Sequence, residues 1–261
     1  MKDFINPEWL SILKANNLDT FEKIWLLDAD WFEPPNKRRG GWSGVSRLEL
    51  QNPAGGQVVI FLKRQENHVY KPLRNFIKGA PTFRREMKNI NRFIKHQLPI
   101  PDPVFYAERT VNKRSRAILI TASIAPDYRS LEEWMQEWQW EGYPPRNEYN
   151  AIIKKVAETI SKMHKHYLKH GALVAKHVFL NYVPGQEPSV RFIDLEKTRY
   201  WYLPNNSFEQ DLKAFAKSFN SLITRIDMSR FYKHYMGVAR LSANNIKLMR
   251  RVSNLLKRNE R

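Results

Sequence analysis

The chain has 261 residues, no cysteine and 42% apolar residues. That is enough for one domain of moderate size or two small ones, and it excludes disulfides, thiolate metal sites and a disordered chain. With 44 basic against 26 acidic residues the net charge is +18, which points to an anionic partner: nucleotide phosphates, nucleic acid, an anionic lipid surface or a phosphorylated glycan. The N-terminus, from Met1 to Pro7, lacks a signal-peptide pattern, and no segment approaches the roughly 20 apolar residues that span a bilayer, so a soluble cytoplasmic protein is expected.

Residues 6 to 27 place Trp9, Leu10, Ile12, Leu13, Leu18, Phe21, Ile24 and Trp25 at helical spacing. They predict an N-terminal helical extension over residues 1–30, ended by Pro34-Pro35-Asn36. A Gly-rich, basic stretch follows, Arg38-Arg39-Gly40-Gly41-Trp42-Ser43-Gly44-Val45. Val45 to Leu50 and Val58 to Leu62 read as strands joined by the turn Asn52-Pro53-Ala54-Gly55-Gly56. Thr82 to His96 repeats apolar residues at Phe83, Met87, Ile90, Phe93 and Ile94, a helix stopped by Leu98-Pro99-Ile100-Pro101. Val104 to Glu108 and Ala117 to Ile124 read as strands, and Ser130 reads as a helix cap before Leu131. Asn147 to Tyr167 is a long amphipathic helix; Val178 to Leu180 and Val190 to Ile193 are short strands; the chain from Phe208 onward is mostly helical. The predicted class is α+β: a β-rich half over 31–124 with one inserted helix, then a mainly helical half over 125–261. There is no internal repeat.

Two motifs give this order a chemical meaning. His170-Gly171-Ala172 through His177 has the spacing of the kinase catalytic loop H-R-D-x-x-x-x-N, with Ala172 where an aspartate would accept the substrate proton. Phe192-Ile193-Asp194-Leu195-Glu196 stands where a kinase carries its metal-binding D-F-G. The order matches a two-lobed, protein-kinase-like fold with its hinge near Thr121 to Ala125.

In that register Lys63, at the end of an apolar strand, is the candidate nucleotide lysine, and Glu86 on the inserted helix is its candidate partner. Glu66 is the fallback acid, and a surface pair of Glu86 with Arg84, Arg85 or Lys88 is the plain alternative. Gly40, Gly41, Ser43 and Gly44 are candidate phosphate contacts, flanked by Arg38 and Arg39. Asp194 is the candidate Mg²⁺ ligand. His177 can bind metal, position phosphate or hydrogen-bond within its loop. His170 is expected to brace the loop. Asp211 reads as an acid stabilised at a helix N-terminus, in preference to a brace on the catalytic loop. Trp134, Trp138, Trp140 and Tyr143 read as packing, with a sugar-stacking platform as the alternative. The basic tail, Lys247, Arg250, Arg251, Lys257, Arg258 and Arg261, reads as a solvated face that also suits an anionic leaflet.

Pro35 to Val45, His170 to Leu180 and Phe192 to Arg199 together resemble the InaA-like branch of the lipopolysaccharide kinase (Kdo/WaaP) family. The resemblance runs over about residues 30 to 225 of the chain. It implies a kinase-like fold, ATP with Mg²⁺ as cofactors, and phosphoryl transfer to a heptose or Kdo sugar of the lipopolysaccharide core, or to another anionic glycan. It implies work at the cytoplasmic face of the inner membrane, with peripheral contact there. It gives Lys63, Glu86, Asp194 and His177 the catalytic roles, Asp194 and His177 those of metal ligands. Active members resemble H-R-D where this chain has Ala172, and InaA-like members lack the acid, so a pseudokinase that binds nucleotide or glycan without turnover is the alternative. No nucleic-acid motif accompanies the charge, and a nucleic-acid partner ranks last.

Overall fold

The computed structural model describes residues 2–38, 40–70, 79–202, 207–219 and 222–253. They form two compact units, the first of residues 1–91 and 101–124, the second of residues 92–100 and 125–261.

The first unit begins with β1 (Phe4–Ile5) and two short helices, α1 (Leu10–Ala15) and α2 (Phe21–Leu26). The chain continues through β2 (Glu33–Arg38), β3 (Gly41–Gln51), β4 (Gln57–Glu66), β5 (Val69–Tyr70), β6 (Ala80–Pro81), α3 (Thr82–Lys95), β7 (Pro103–Val111) and β8 (Arg114–Ala122). Six strands make one antiparallel sheet in the order β1-β7-β8-β4-β3-β2. Side chains alternate across a strand. Ile60 and Leu62 of β4, paired with Ala122 and Ile120 of β8, therefore share one face. That face is covered by Leu13, Leu18, Phe21 and Ile24 in a single buried cluster. Lys63 and Gln65 point from the opposite face.

The helices of residues 7–26 are thus no appendage: they supply one layer of the core. Asn16 fastens α1, bonding Ile12 O and exchanging two hydrogen bonds with Gln51 at the end of β3. Buried Arg64 fastens α2, donating to the carbonyls of Trp25 (3.3 Å) and Leu27 (2.6 Å) while its guanidinium lies over Trp31. A cation at these C-terminal carbonyls is favoured by the helix dipole.

The Gly-rich stretch is the β2–β3 hairpin, a strand pair that the prolines of β2 concealed. Gly40 occupies the turn at φ +74°, and nothing lies within 4 Å of where a Cβ would stand. Gly41 and Gly44 sit in β3, and packing explains both. A Cβ on Gly41 would come within 2.4 Å of the backbone of Glu66 and Asn67, and one on Gly44 within 2.4 Å of the Trp31 ring.

The second unit holds β9 (Arg129–Ser130), α4 (Leu131–Glu141), α5 (Arg146–Lys165), β10 (Leu168–Lys169), β11 (Val178–Asn181), β12 (Ser189–Phe192), β13 (Arg199–Tyr200), α6 (Ser207–Ser218), α7 (Arg225–Met236) and α8 (Ala243–Ser253). Ser130 and Glu133 close a reciprocal capping box on α4, and Thr224 and Asp227 do so on α7. Two small antiparallel pairings flank the loop that starts at His170: β11 with β12, and β10 with β13. The cluster at Trp134 and Trp138 is packing with Tyr149 and Tyr182, whereas Trp140 is 87% exposed and stands apart from it. Of the basic tail, Lys257, Arg258 and Arg261 lie outside the described residues; Arg251 on α8 pairs with Glu209 at 3.2 Å.

The glycines make a test. Gly41→Ala is expected to lower unfolding free energy by about 1–3 kcal/mol, because its neighbours are backbone and cannot yield. Gly40→Ala should cost only the left-handed strain, about 1–2 kcal/mol. Urea titration of both variants checks the order.

Candidate functional site

Lys63 lies within the buried half of β4, between buried Leu62 and Arg64, and α3 runs past its face of the sheet. Gln65 sets that helix: its side-chain carbonyl accepts from Thr82 Oγ1 at 2.7 Å and from the Phe83 amide at 3.1 Å. One turn further on, Glu86 Oε1 accepts from Lys63 Nζ at 2.6 Å. The carboxylate is 6% exposed and the ammonium 22%, so the pair is shielded enough to be more than a surface contact. Two of the competing groups are engaged elsewhere. Arg84 makes a two-pronged contact with Glu108, and Glu66 accepts from Arg114 and Arg116. Across β3, Val45 pairs with Lys63 and Ser43 with Gln65, so Ser43 lies on the lysine's face of the sheet. Arg39 lies outside the described residues.

In the second unit a hairpin brings two sequence-distant candidates together. His177 precedes β11 and Asp194 follows β12 by two residues. The Val178–Phe192 pairing and the Ile193 amide bonding His177 O close that end. His177 Nε2 stands 3.6 Å from Asp194 Oδ2. His177 Nδ1–H donates to Ala172 O at 2.8 Å. A carbonyl only accepts, so the neutral ring carries its lone pair on Nε2, on the side of Asp194. Asp194 itself is left-handed, φ +55° and ψ +63°, a conformation aspartate tolerates better than most residues. Among the described residues no cluster of three or more His, Cys, Asp or Glu forms a protein-only metal cage. The Asp194 carboxylate suits a divalent ion that takes its other ligands from phosphates and water, as Mg²⁺ commonly does, whereas an imidazole nitrogen is a poorer match to so hard an ion than an oxygen would be.

Asp211 corrects the sequence expectation. Its side chain does not serve its own helix end. It accepts from the backbone amides of His170 (2.6 Å) and Gly171 (2.9 Å), and so braces the loop that bears Ala172. Burial opposes its ionisation, but hydrogen bonding and charge from His164, with further help from His170 and the Gly171 amide, hold the carboxyl below the usual range. His164 was not singled out by sequence reasoning. It is buried, stacks on Phe208, and joins Asp211 (3.4 Å) to the Tyr235 hydroxyl (2.8 Å); burial lowers its pKa. His170 braces the loop as expected: its Nε2–H donates to Ile193 O at 3.1 Å. Its other nitrogen is buried with no hydrogen-bond partner, and burial pushes its pKa to about 4. Gly171, at φ +77°, lies so close to Lys197 that a Cβ would stand 2.7 Å from that carbonyl.

An antiparallel sheet bearing a lysine–glutamate pair, followed by a helical unit with a braced loop and a metal-competent acid, defines a kinase-like protein. Residues 22–235 match the lipopolysaccharide kinase (Kdo/WaaP) family, and the chain belongs to that family. Protein InaA of Escherichia coli (strain K12) is 28% identical to it over 199 residues, 76% of this chain and 88% of InaA. WaaP, solved in complex with acyl carrier protein, matches its fold with a TM-score of 0.69 over 98% of this chain and 99% of that one, at 22% identity.

The buried imidazoles set a pH dependence. The folded pKa of His170, about 4, lies below the unfolded value of about 6.5, so the unfolded state binds the extra proton. Its contribution is complete above pH 6.5 and is lost as pH falls toward 4, at most about 3 kcal/mol, with His164 adding in the same direction. Urea midpoints should therefore fall across that window, and less steeply in His170→Gln.

Proposed function

We propose that the protein binds ATP with Mg²⁺ and transfers the γ-phosphoryl group to a heptose or Kdo hydroxyl of the lipopolysaccharide core, at the cytoplasmic face of the inner membrane. The observation that carries this reading is the Lys63–Glu86 pair at 2.6 Å: an ammonium held by a shielded carboxylate is the arrangement that positions a nucleotide's α- and β-phosphates. Glu86 orients the amine; Lys63 supplies charge to the phosphates. Gly40 at the hairpin turn leaves backbone free to approach them, and Ser43 offers a hydroxyl. Asp194 and His177 would hold the metal, which supplies charge neutralisation as the phosphoryl group moves. His177 keeps its lone pair on that side because Ala172 O fixes its other nitrogen. Asp211 and His170 keep the loop in shape.

Phosphoryl transfer depends mainly on positioning and electrostatics, so absence of an acid at 172 slows the reaction without forbidding it. General-base help is worth roughly 10²–10⁴-fold. Ala172 also supports a second reading, a pseudokinase that binds nucleotide or glycan without turnover. One set of measurements separates the two. ATP with Mg²⁺ should raise the melting temperature, by an amount that Lys63→Met removes. Phosphate should pass to purified core lipopolysaccharide, slowly, and about 10²–10³-fold more slowly in Asp194→Ala. Ala172→Asp should raise transfer by roughly 10²-fold or more. A melting shift with no transfer from either the native chain or Ala172→Asp would establish the pseudokinase. No melting shift at all would overturn the kinase reading and the nucleotide-binding form of the pseudokinase, and a melting shift with core lipopolysaccharide then tests the glycan-binding form.

A further inference from the structure

A second surface of the helical unit is built from three segments distant in sequence: the last turn of α3 with the two residues after it (92–97), which belong to this second unit, the end of α5 with β10 (162–169), and β13 with the two residues after it (199–202). They meet closely. The rings of His96 and His166 stack at 4.3 Å, His96 Nε2 lies 3.1 Å from the Tyr200 hydroxyl, and the Trp201 amide donates to Tyr167 O at 2.8 Å. A run of tyrosines crosses this surface. Tyr200 and Tyr202 stack at 5.6 Å, and Tyr202 meets Tyr167 at the same distance. Tyr202 is 70% exposed and Tyr167 54%. Ending a helix does not account for Tyr167. It sits just past the C-cap of α5 at φ +59°, where glycine or asparagine would be the unstrained choice.

Charge surrounds the rings. Arg92, Lys95, Lys162, Lys165 and Arg199 all reach solvent. The guanidinium of Arg92 lies over Tyr200 at 4.7 Å and that of Arg199 over Trp201 at 5.0 Å. The three segments contain no aspartate or glutamate. A sugar-binding face would be expected to carry several such acceptors for hydroxyl groups; beside its amphipathic rings and cations this one carries only the exposed amide of Gln97 and the apolar Ile94. Tyrosine and tryptophan favour the headgroup level of a membrane, and Arg and Lys favour an anionic leaflet.

We infer that this face docks the protein on an anionic phospholipid bilayer, with Tyr167, Tyr200 and Tyr202 at the headgroups and the five cations against lipid phosphate. The inference deepens the reading above and rests on it to the extent that the acceptor lies at a membrane. Neither the site of phosphate transfer nor the basic helix α8 is part of the docking face.

The test is flotation of the full chain with vesicles of phosphatidylcholine, with and without phosphatidylglycerol. Binding should require the anionic lipid and weaken with salt. The double variant K165E/R199E should lose roughly 25-fold or more in partitioning, at roughly fivefold for each cation lost. Tyr202→Ser, which leaves the charge unchanged, should lose severalfold. The double variant K247E/R250E on α8 changes net charge by the same amount and should lose less than about fivefold. Equal losses in the two doubles, a larger loss from α8, or binding indifferent to anionic lipid would each overturn the inference. So would a single-stranded oligonucleotide whose binding the K165E/R199E change abolishes while vesicle binding persists. The melting shift with ATP and Mg²⁺, measured on every variant, separates the two claims. A retained shift with vesicle binding unchanged in K165E/R199E sinks the docking face alone. Vesicle binding that shows the expected pattern without any nucleotide shift supports the face and sinks the nucleotide reading.

Discussion

One buried carboxylate organises the chemistry-bearing loop. Asp211 lies almost wholly out of water, yet His164, with help from His170 and the Gly171 amide, holds its carboxyl below the usual range, and it accepts from the backbone amides of both His170 and Gly171. An unpaired carboxylate at such a depth would be strongly destabilising; a paired one fixes whatever supplies the partners. Here the partners are the first residues of the loop. With that end pinned, Ala172 O falls within reach of His177 Nδ1, and the imidazole turns its other nitrogen toward Asp194. The orientation of the candidate metal pair thus follows from a carboxylate that does not touch it.

The framework is specified redundantly. His164 ties Asp211 to Tyr235 on α7. Thr198 Oγ1 donates to His170 O, and the β10–β13 pairing brackets the same loop from its other side. Polar groups this deep are stabilising only when satisfied, and most of these are. The unpaired nitrogen of His170 is an exception, consistent with a ring kept neutral by burial.

Range decides what sequence reasoning could and could not reach. Lys63 and Glu86 were legible because each sits on a strongly periodic element, so strand end and helix face could be read locally and the pairing inferred. The two candidate residues flanking a short hairpin were legible for a different reason, the spacing of two kinase motifs along the chain. Asp211 was misjudged because the local rule, an acid in the first turns of a helix, is usually right. Its actual partners lie about forty residues away, and nothing in the neighbouring sequence reports them. His164 was missed because it reads as one more polar position on α5. The glycines carry a second demand that local sequence does not report: tertiary packing of Trp31 and of the Glu66–Asn67 backbone requires Gly44 and Gly41 whatever the loop binds. Two prolines hid β2, a strand that lies at the sheet edge and so tolerates them.

The two departures of this chain from H-R-D have different standing. At 171 the backbone is left-handed and the space is taken by the Lys197 carbonyl, so the packing of the loop itself demands glycine and the residue says little about chemistry. At 172 no such demand exists. Ala172 contributes its carbonyl to His177, and any residue would supply that atom. The side chain is half-buried rather than enclosed. The missing acid is therefore not a consequence of how the loop is folded, and the braces that hold the loop do not depend on it. The scaffold thus keeps a buried carboxylate that braces the loop and an imidazole oriented beside Asp194, and carries alanine at 172 with no brace of the loop depending on that side chain.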